Sequence, residues 1–273
     1  MEKLNFLTAG MPLKANKKGY AKSFEILSDM DLDGLELEFV RGVRISDVSR
    51  EAVKNSSMVK TIHGPFYINL NSQEQEKIDA SIERIIETAQ VAQDVGAFSI
   101  TYHAGFYLGQ DKDTVFDAIK SQTKIITDRL SSENIKVWIR PETTGKATQW
   151  GDLEEIINLS KEFEYVLPCV DFSHLHARYN GIYNTYDEFA SVFEKIANEL
   201  PDKKPLENFH AHIAGIEYTA KGERQHLNLI DSDFNYKDLI KAFKDFDVKG
   251  AIVCESPNIE DDAKLLSDYY KTL

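Results

Sequence analysis

Eight short, β-rich apolar runs alternate with segments of helical period along this chain, and that alternation narrows the fold more than any other feature. The runs are residues 4–9, 34–39, 59–63, 99–103, 136–142, 165–171, 208–213 and 250–255. Helical periodicity covers 72–95, 114–130, 153–163, 187–200, 236–246 and 259–270. It is clearest in 72–95, where Ile78, Ile82, Ile85, Ile86, Ala89 and Ala92 recur at spacings of three and four. Asp152 or Gly151 starts the 153–163 helix, with Glu154 and Glu155 in the first turn, where the helix dipole favours acids. Alternation of this kind over 273 residues predicts a single (β/α)8 TIM barrel spanning 1–273. An open doubly wound sheet is the competitor, but no Gly-rich phosphate loop follows the first run.

Barrel chemistry sits at the C-terminal ends of the strands. Here six of the eight runs end in groups that are costly to bury alone: His63, His103, Glu142, Asp171 with His174, His210 with His212, and Glu255. One such end is ordinary, because a capped helix start or a satisfied core histidine explains it. Six aimed at one mouth point to a bound cation. Imidazoles and carboxylates without thiolates suit zinc or a similar transition metal and leave coordination positions open for water. His176 lies two residues beyond His174 and is expected to serve a structural or supporting role. His210 and His212 compete, since two residues apart in a strand share one face.

Seven motifs, taken together and in order, resemble the endonuclease IV family of apurinic/apyrimidinic endonucleases. They are HGPFYINL (63–70), YHAG (102–105), ETTG (142–145), DFSH (171–174), HIAG (212–215), GERQH (222–226) and ESP (255–257). The resemblance covers essentially the whole chain and implies a xylose-isomerase-like barrel with two or three zinc ions, manganese or another divalent metal being the alternative. It implies that His63, His103 and Glu142 hold one ion and that Glu142 bridges to a second held by Asp171, His212 and Glu255. His174 would hold a third with partners from the GERQH segment, Glu223 and His226. Glu142 would also position the attacking hydroxide. The implied substrate is duplex DNA carrying an abasic site, contacted by Arg41, Arg44, Phe66 and Tyr67. Simple loop packing is the other reading of Phe66 and Tyr67.

Three motifs depart from the family's pattern: His103-Ala104-Gly105 replaces HPG, His212-Ile213-Ala214-Gly215 replaces H-x-N-D, and Gln225 stands where the family has histidine. Either His226 supplies the missing imidazole or the third site binds weakly. A second reading is a metal-dependent sugar isomerase or epimerase on the same barrel, using Glu142, Glu255 and one metal.

The net charge of −13 argues against a generic polyanion binder and favours that second reading, because affinity for DNA comes largely from neutralising phosphates. No run of about 18 apolar residues exists, so no membrane contact is expected. Cys169 and Cys254, the only cysteines, sit in apolar runs and read as buried free thiols of a cytoplasmic protein; without a CxxC there is no zinc ribbon. A monomer is expected.

Overall fold

The structure, a computed structural model, describes residues 1–273. Its strands are β1 (Leu4–Ala9), β2 (Gly34–Glu38), β3 (Val59–His63), β4 (Ser99–Tyr102), β5 (Gly105–Phe106), β6 (Trp138–Pro141), β7 (Gln149–Trp150), β8 (Val170–Asp171), β9 (Phe209–Ile213), β10 (Gly215–Thr219), β11 (Gly222–Leu227) and β12 (Gly250–Cys254). Eight of them form one parallel sheet in the order β6-β4-β3-β2-β1-β12-β9-β8. Parallel bridges Ile139–Val166 and Glu142–Cys169 join β6 to the segment leading into β8 and close the barrel. Each of the eight expected runs contributes one barrel strand.

The sixth run, expected as a strand over 165–171, is regular only at Val170–Asp171. Pro168 interrupts it, because proline has no N–H to give to a ladder. Its carbonyl instead accepts from the Arg140 guanidinium.

The helices are α1 (Tyr20–Asp29), α2 (Asp47–Asn55), α3 (Gln75–Val95), α4 (Lys112–Ser132), α5 (Leu153–Glu162), α6 (Phe172–Arg178), α7 (Tyr186–Glu199), α8 (Tyr236–Asp245) and α9 (Glu260–Thr272). The six expected helices are present within a few residues of their expected ends. Asp152 caps α5 in a capping box with Glu155. Sequence periodicity missed α1, α2 and α6, and it missed the antiparallel β10–β11 hairpin. No helix is long and apolar enough to cross a membrane.

The strands divide their residues by parity. Leu35 and Leu37 of β2, Ile62 of β3, Ile100 of β4 and Ile252 of β12 join the large apolar core shared with the helices. The alternate positions line the barrel interior, where the apolar share shrinks to a small group built on Leu7, Ala251 and Val253. The rest of the interior is polar, and its upper layer is the mouth.

Candidate metal centre

Glu142, 1% exposed, follows β6 and stands at the middle of the mouth. His63 Nε2 lies 3.2 Å from its Oε2. Its Oε1 has three imidazole nitrogens around it: His103 Nε2 and His174 Nδ1 at 3.2 Å, and His212 Nδ1 at 3.4 Å. Yet Oε1 makes no hydrogen bond, and neither do Asp171 Oδ2 or His212 Nδ1. Buried donors and acceptors are almost always paired with one another. Here they face a shared gap instead, which is the arrangement that a divalent cation satisfies. The residues therefore fit a metal.

Five sets of ligand atoms are each compact enough to hold an ion, two of them being Cys169, His210 and His212, and Glu36, Glu38 and Glu255. The other three line the mouth around Glu142 and Asp171: His63, His103 and Glu142; Glu142, Asp171, His212 and Glu255; and Asp171, His174 and His226. Glu142 belongs to the first two and Asp171 to the last two. These three sets thus form a continuous chain across a cavity of about 290 Å³, whose wall also includes Glu38, Phe66 and Glu223.

Local structure orients each ligand. His63 Nδ1 is bound to Gly64 O at 2.7 Å, which leaves Nε2 for the centre. His174 Nδ1 is within 3.0 Å of Thr143 O. Such contacts set the tautomer and aim the opposite nitrogen. Asp171 caps α6, its Oδ1 accepting from His174 N at 2.7 Å, and so leaves Oδ2 for the mouth.

Because residues 172–178 are helical, His174 and His176 point in different directions. His176 faces Asp233 and the Ile182 carbonyl, away from the centre. His210 and His212 share a face of β9, but only His212 reaches the mouth; His210 lies below, against Ser99 and Glu36.

The GERQH segment lies in strand β11. A bulge at Glu217/Tyr218 pairs Tyr218 with Glu223 and Glu217 with Gln225, leaving Arg224 as the extra residue. This shifts the alternation by one, so Glu223 and His226 share a face and Gln225 turns to solvent. His226 Nε2 comes within 3.5 Å of His174 Nε2, and Glu223 Oε2 within 3.6 Å. Gly145 of ETTG makes this approach possible. A Cβ there would lie 2.6 Å from Glu223 Cβ, and the Gly145 carbonyl accepts from Glu223 N.

Arg41 and Arg44 lie exposed in the turn after β2 and make no ion pair. Phe66 and Tyr67 are 60% and 64% exposed, so core packing does not explain them. Both cysteines are buried and free.

Two acids went unnoticed in the sequence: Glu36 and Glu38, successive interior positions of β2. Their signal was present in GLELEF, where charges alternate with leucines in a strand that the barrel buries on both faces.

Carboxylates dominate the electrostatics. Burial alone would lower the His63 pKa, but Glu142, Glu38 and Glu36 outweigh it and push it up to about 10. His174 and His212 are raised well above the usual value despite burial, His174 by Asp171, Glu142 and Glu223, and His212 by Cys169, Glu255, Glu36 and Glu142. In the metal-free protein the His63 shift stabilises the fold fully below the unfolded value of 6.5, and that contribution is lost as pH rises through about 10. A metal must displace these protons. Divalent metal uptake at pH 7 is therefore expected to release on the order of two or three protons, and affinity is expected to rise with pH. Calorimetric titrations in buffers of different ionisation enthalpy measure this; a heat independent of buffer would contradict it.

A family model described as the xylose isomerase-like TIM barrel matches residues 24–273. The chain belongs to that family. An uncharacterized protein of Methanocaldococcus jannaschii is 43% identical to this xylose isomerase-like barrel over 272 residues, 99% of this chain and 98% of the relative. A probable endonuclease 4 of a Sulfurihydrogenibium species is 26% identical over 192 residues, 64% of this chain and 67% of the relative. Among solved structures, a D-tagatose 3-epimerase-like protein matches with a TM-score of 0.74 at 17% identity, covering 97% of this chain and 98% of the other.

Proposed function

We propose that the protein is a metal-dependent phosphodiesterase that cuts duplex DNA 5′ to abasic sites. The observation that carries this reading is the chain of three ligand sets joined by Glu142 and Asp171. Ions held side by side in such sets neutralise charge on the attacking and leaving oxygens of a phosphoryl displacement and lower the pKa of water. Glu142 and Asp171, each shared by two sets, would hold ions in neighbouring sets, and His63, His103, His174 and His226 would supply the outer ligands. Five carboxylates meet at the mouth, Glu38, Glu142, Asp171, Glu223 and Glu255, with Glu36 just below them. Divalent ions bound there would offset much of this charge at the mouth, which bears on the objection raised by the acidic composition. Arg41 and Arg44 offer unpaired cations to phosphates at the rim. Phe66 and Tyr67 supply apolar surface where a missing base makes unstacking cheapest.

The epimerase reading is favoured by the net charge of −13 and by the similarity to an epimerase-like structure. It uses only the set Glu142, Asp171, His212 and Glu255, and gives the outer histidines no role. Zinc- or manganese-loaded protein is expected to nick an abasic duplex once, on the 5′ side, with a rate that falls as salt rises. Turnover of a ketose without nicking would establish the second reading instead.

Phe66→Ala with Tyr67→Ala is expected to slow abasic-site cleavage about tenfold or more, at roughly 1–3 kcal/mol per lost base–aromatic contact, with metal content unchanged. Cleavage at the wild-type rate would reduce both residues to loop surface. His226→Ala is expected to cost one bound ion, read by elemental analysis; wild-type metal content would remove His226 from the ligand set.

A further inference from the structure

Beneath the proposed metal centre, four side chains from three barrel strands touch in sequence. Ser99 Oγ on β4 lies 2.9 Å from His210 Nδ1 on β9. His210 Nε2 lies 3.2 Å from Glu36 Oε2 on β2. Glu36 Oε1 lies 3.1 Å from His212 Nε2. The far nitrogen of His212, Nδ1, faces Glu255 at 3.2 Å and Glu142 at 3.4 Å. Glu36, His210 and His212 are wholly buried; the Glu36 oxygens and the two Nε2 atoms face one another at contact distance without aligned hydrogen bonds, and have no other hydrogen-bond partner.

We infer that Glu36 is a positioning residue that keeps the proton of His212 on Nε2 and its Nδ1 free for a metal, with His210 and Ser99 holding Glu36 in turn. The inference rests on the metal-dependent reading of the mouth but not on the identity of the substrate. His63 and His174 are oriented by the main-chain carbonyls of Gly64 and Thr143. His212 sits in mid-strand, where backbone carbonyls are committed to the β-ladder, so a side chain must do the same work. A carboxylate performs it more strongly, because it accepts with full negative charge and raises the basicity of the ligand. His210 explains how so buried an acid stays in place. A neutral His210 ring turns Nε2 toward Glu36 at 3.2 Å, a contact that a small rotation makes a hydrogen bond, and its Nδ1 can accept the Ser99 hydroxyl at 2.9 Å. The pair of histidines in FHAHI thus divides into one candidate ligand and one support.

Glutamine at position 36 keeps the shape but can accept from only one ring; its amide N–H₂ turned toward the other favours the opposite tautomer. Chelator competition on the full chain with Zn²⁺ alone, in the absence of DNA, tests this. In Glu36→Gln, affinity at one site is expected to fall about 10- to 100-fold, the usual effect of removing such a support, while the other sites keep theirs. Ring-nitrogen NMR of the zinc-loaded proteins is expected to show His212 protonated at Nε2 in wild type and not uniformly so in the variant, a change that a merely structural role would not produce. Should Glu36→Gln fail to fold, His210→Leu is read in the same way, with a smaller loss expected. Unchanged affinity with the Nε2–H tautomer retained in a folded variant would overturn the inference. A wild type that binds no Zn²⁺ would overturn the metal reading as well, so the two failures are distinguishable.

Discussion

Glu142→Gln is expected to leave the barrel folded while lowering phosphodiester hydrolysis by about 10³-fold, which corresponds to losing roughly 4 kcal/mol of transition-state stabilisation. Glutamine keeps the volume of a side chain that is 1% exposed, so packing is preserved. What disappears is the negative charge shared by two of the three ligand sets at the mouth. An amide oxygen is a weak ligand beside imidazole, and its nitrogen would face His63 Nε2 or the cluster of His103, His174 and His212. Metal content is expected to fall together with activity, because both sets lose their common member. Elemental analysis and single-turnover cleavage of an abasic duplex measure the two effects. Wild-type turnover with full metal content would show that Glu142 is not a bridge.

Arg140→Ala is expected to destabilise the protein by about 3–5 kcal/mol, the range for emptying a large buried site. Arg140 is 1% exposed and has no carboxylate partner. Its guanidinium donates to Pro168 O at 2.9 Å, and to Asn208 O and Oδ1 at 2.8 and 2.7 Å. It also lies over the rings of Phe98 and Trp138. Burial pulls its pKa down to about 9. Arg140 therefore closes the barrel where Pro168 interrupts the ladder, tying β6 to the irregular strand and to the start of β9. Alanine loses those bonds, strands buried carbonyls and opens a cavity. Arg140→Met fills the space and should recover part of the loss, leaving the cost of the unpaired carbonyls. Denaturant unfolding decides: an alanine variant within about 1 kcal/mol of wild type would assign closure to the backbone bridges alone.

The sequence by itself determined the barrel and the ring of histidines and acids at its mouth. Both are local patterns. Short apolar runs alternating with 3.6-residue periodicity survive in any reading frame of tertiary contacts, and a histidine or acid at the end of a run marks the mouth once the barrel is assumed. Capping chemistry at Asp152 was equally local, since the side chain bonds its own helix.

What only the tertiary structure decided depended on which face a residue turns toward distant partners. Glu36 and Glu38 alternate with leucines as on any half-solvated strand; closure of the barrel is what turns their face inward, Glu36 onto His210 and His212 and Glu38 into the cavity wall. The α2 helix escaped notice because it is polar and buries only Val53 fully, so its place is set by docking, not by its own pattern. His174 and His176 diverge because residues 172–178 coil into a helix capped by Asp171. His226 meets His174, and Gln225 does not, because one extra residue in β11 reverses the alternation. A bulge is invisible without its partner strand, since it is defined by two residues facing one across a ladder that the linear sequence does not contain.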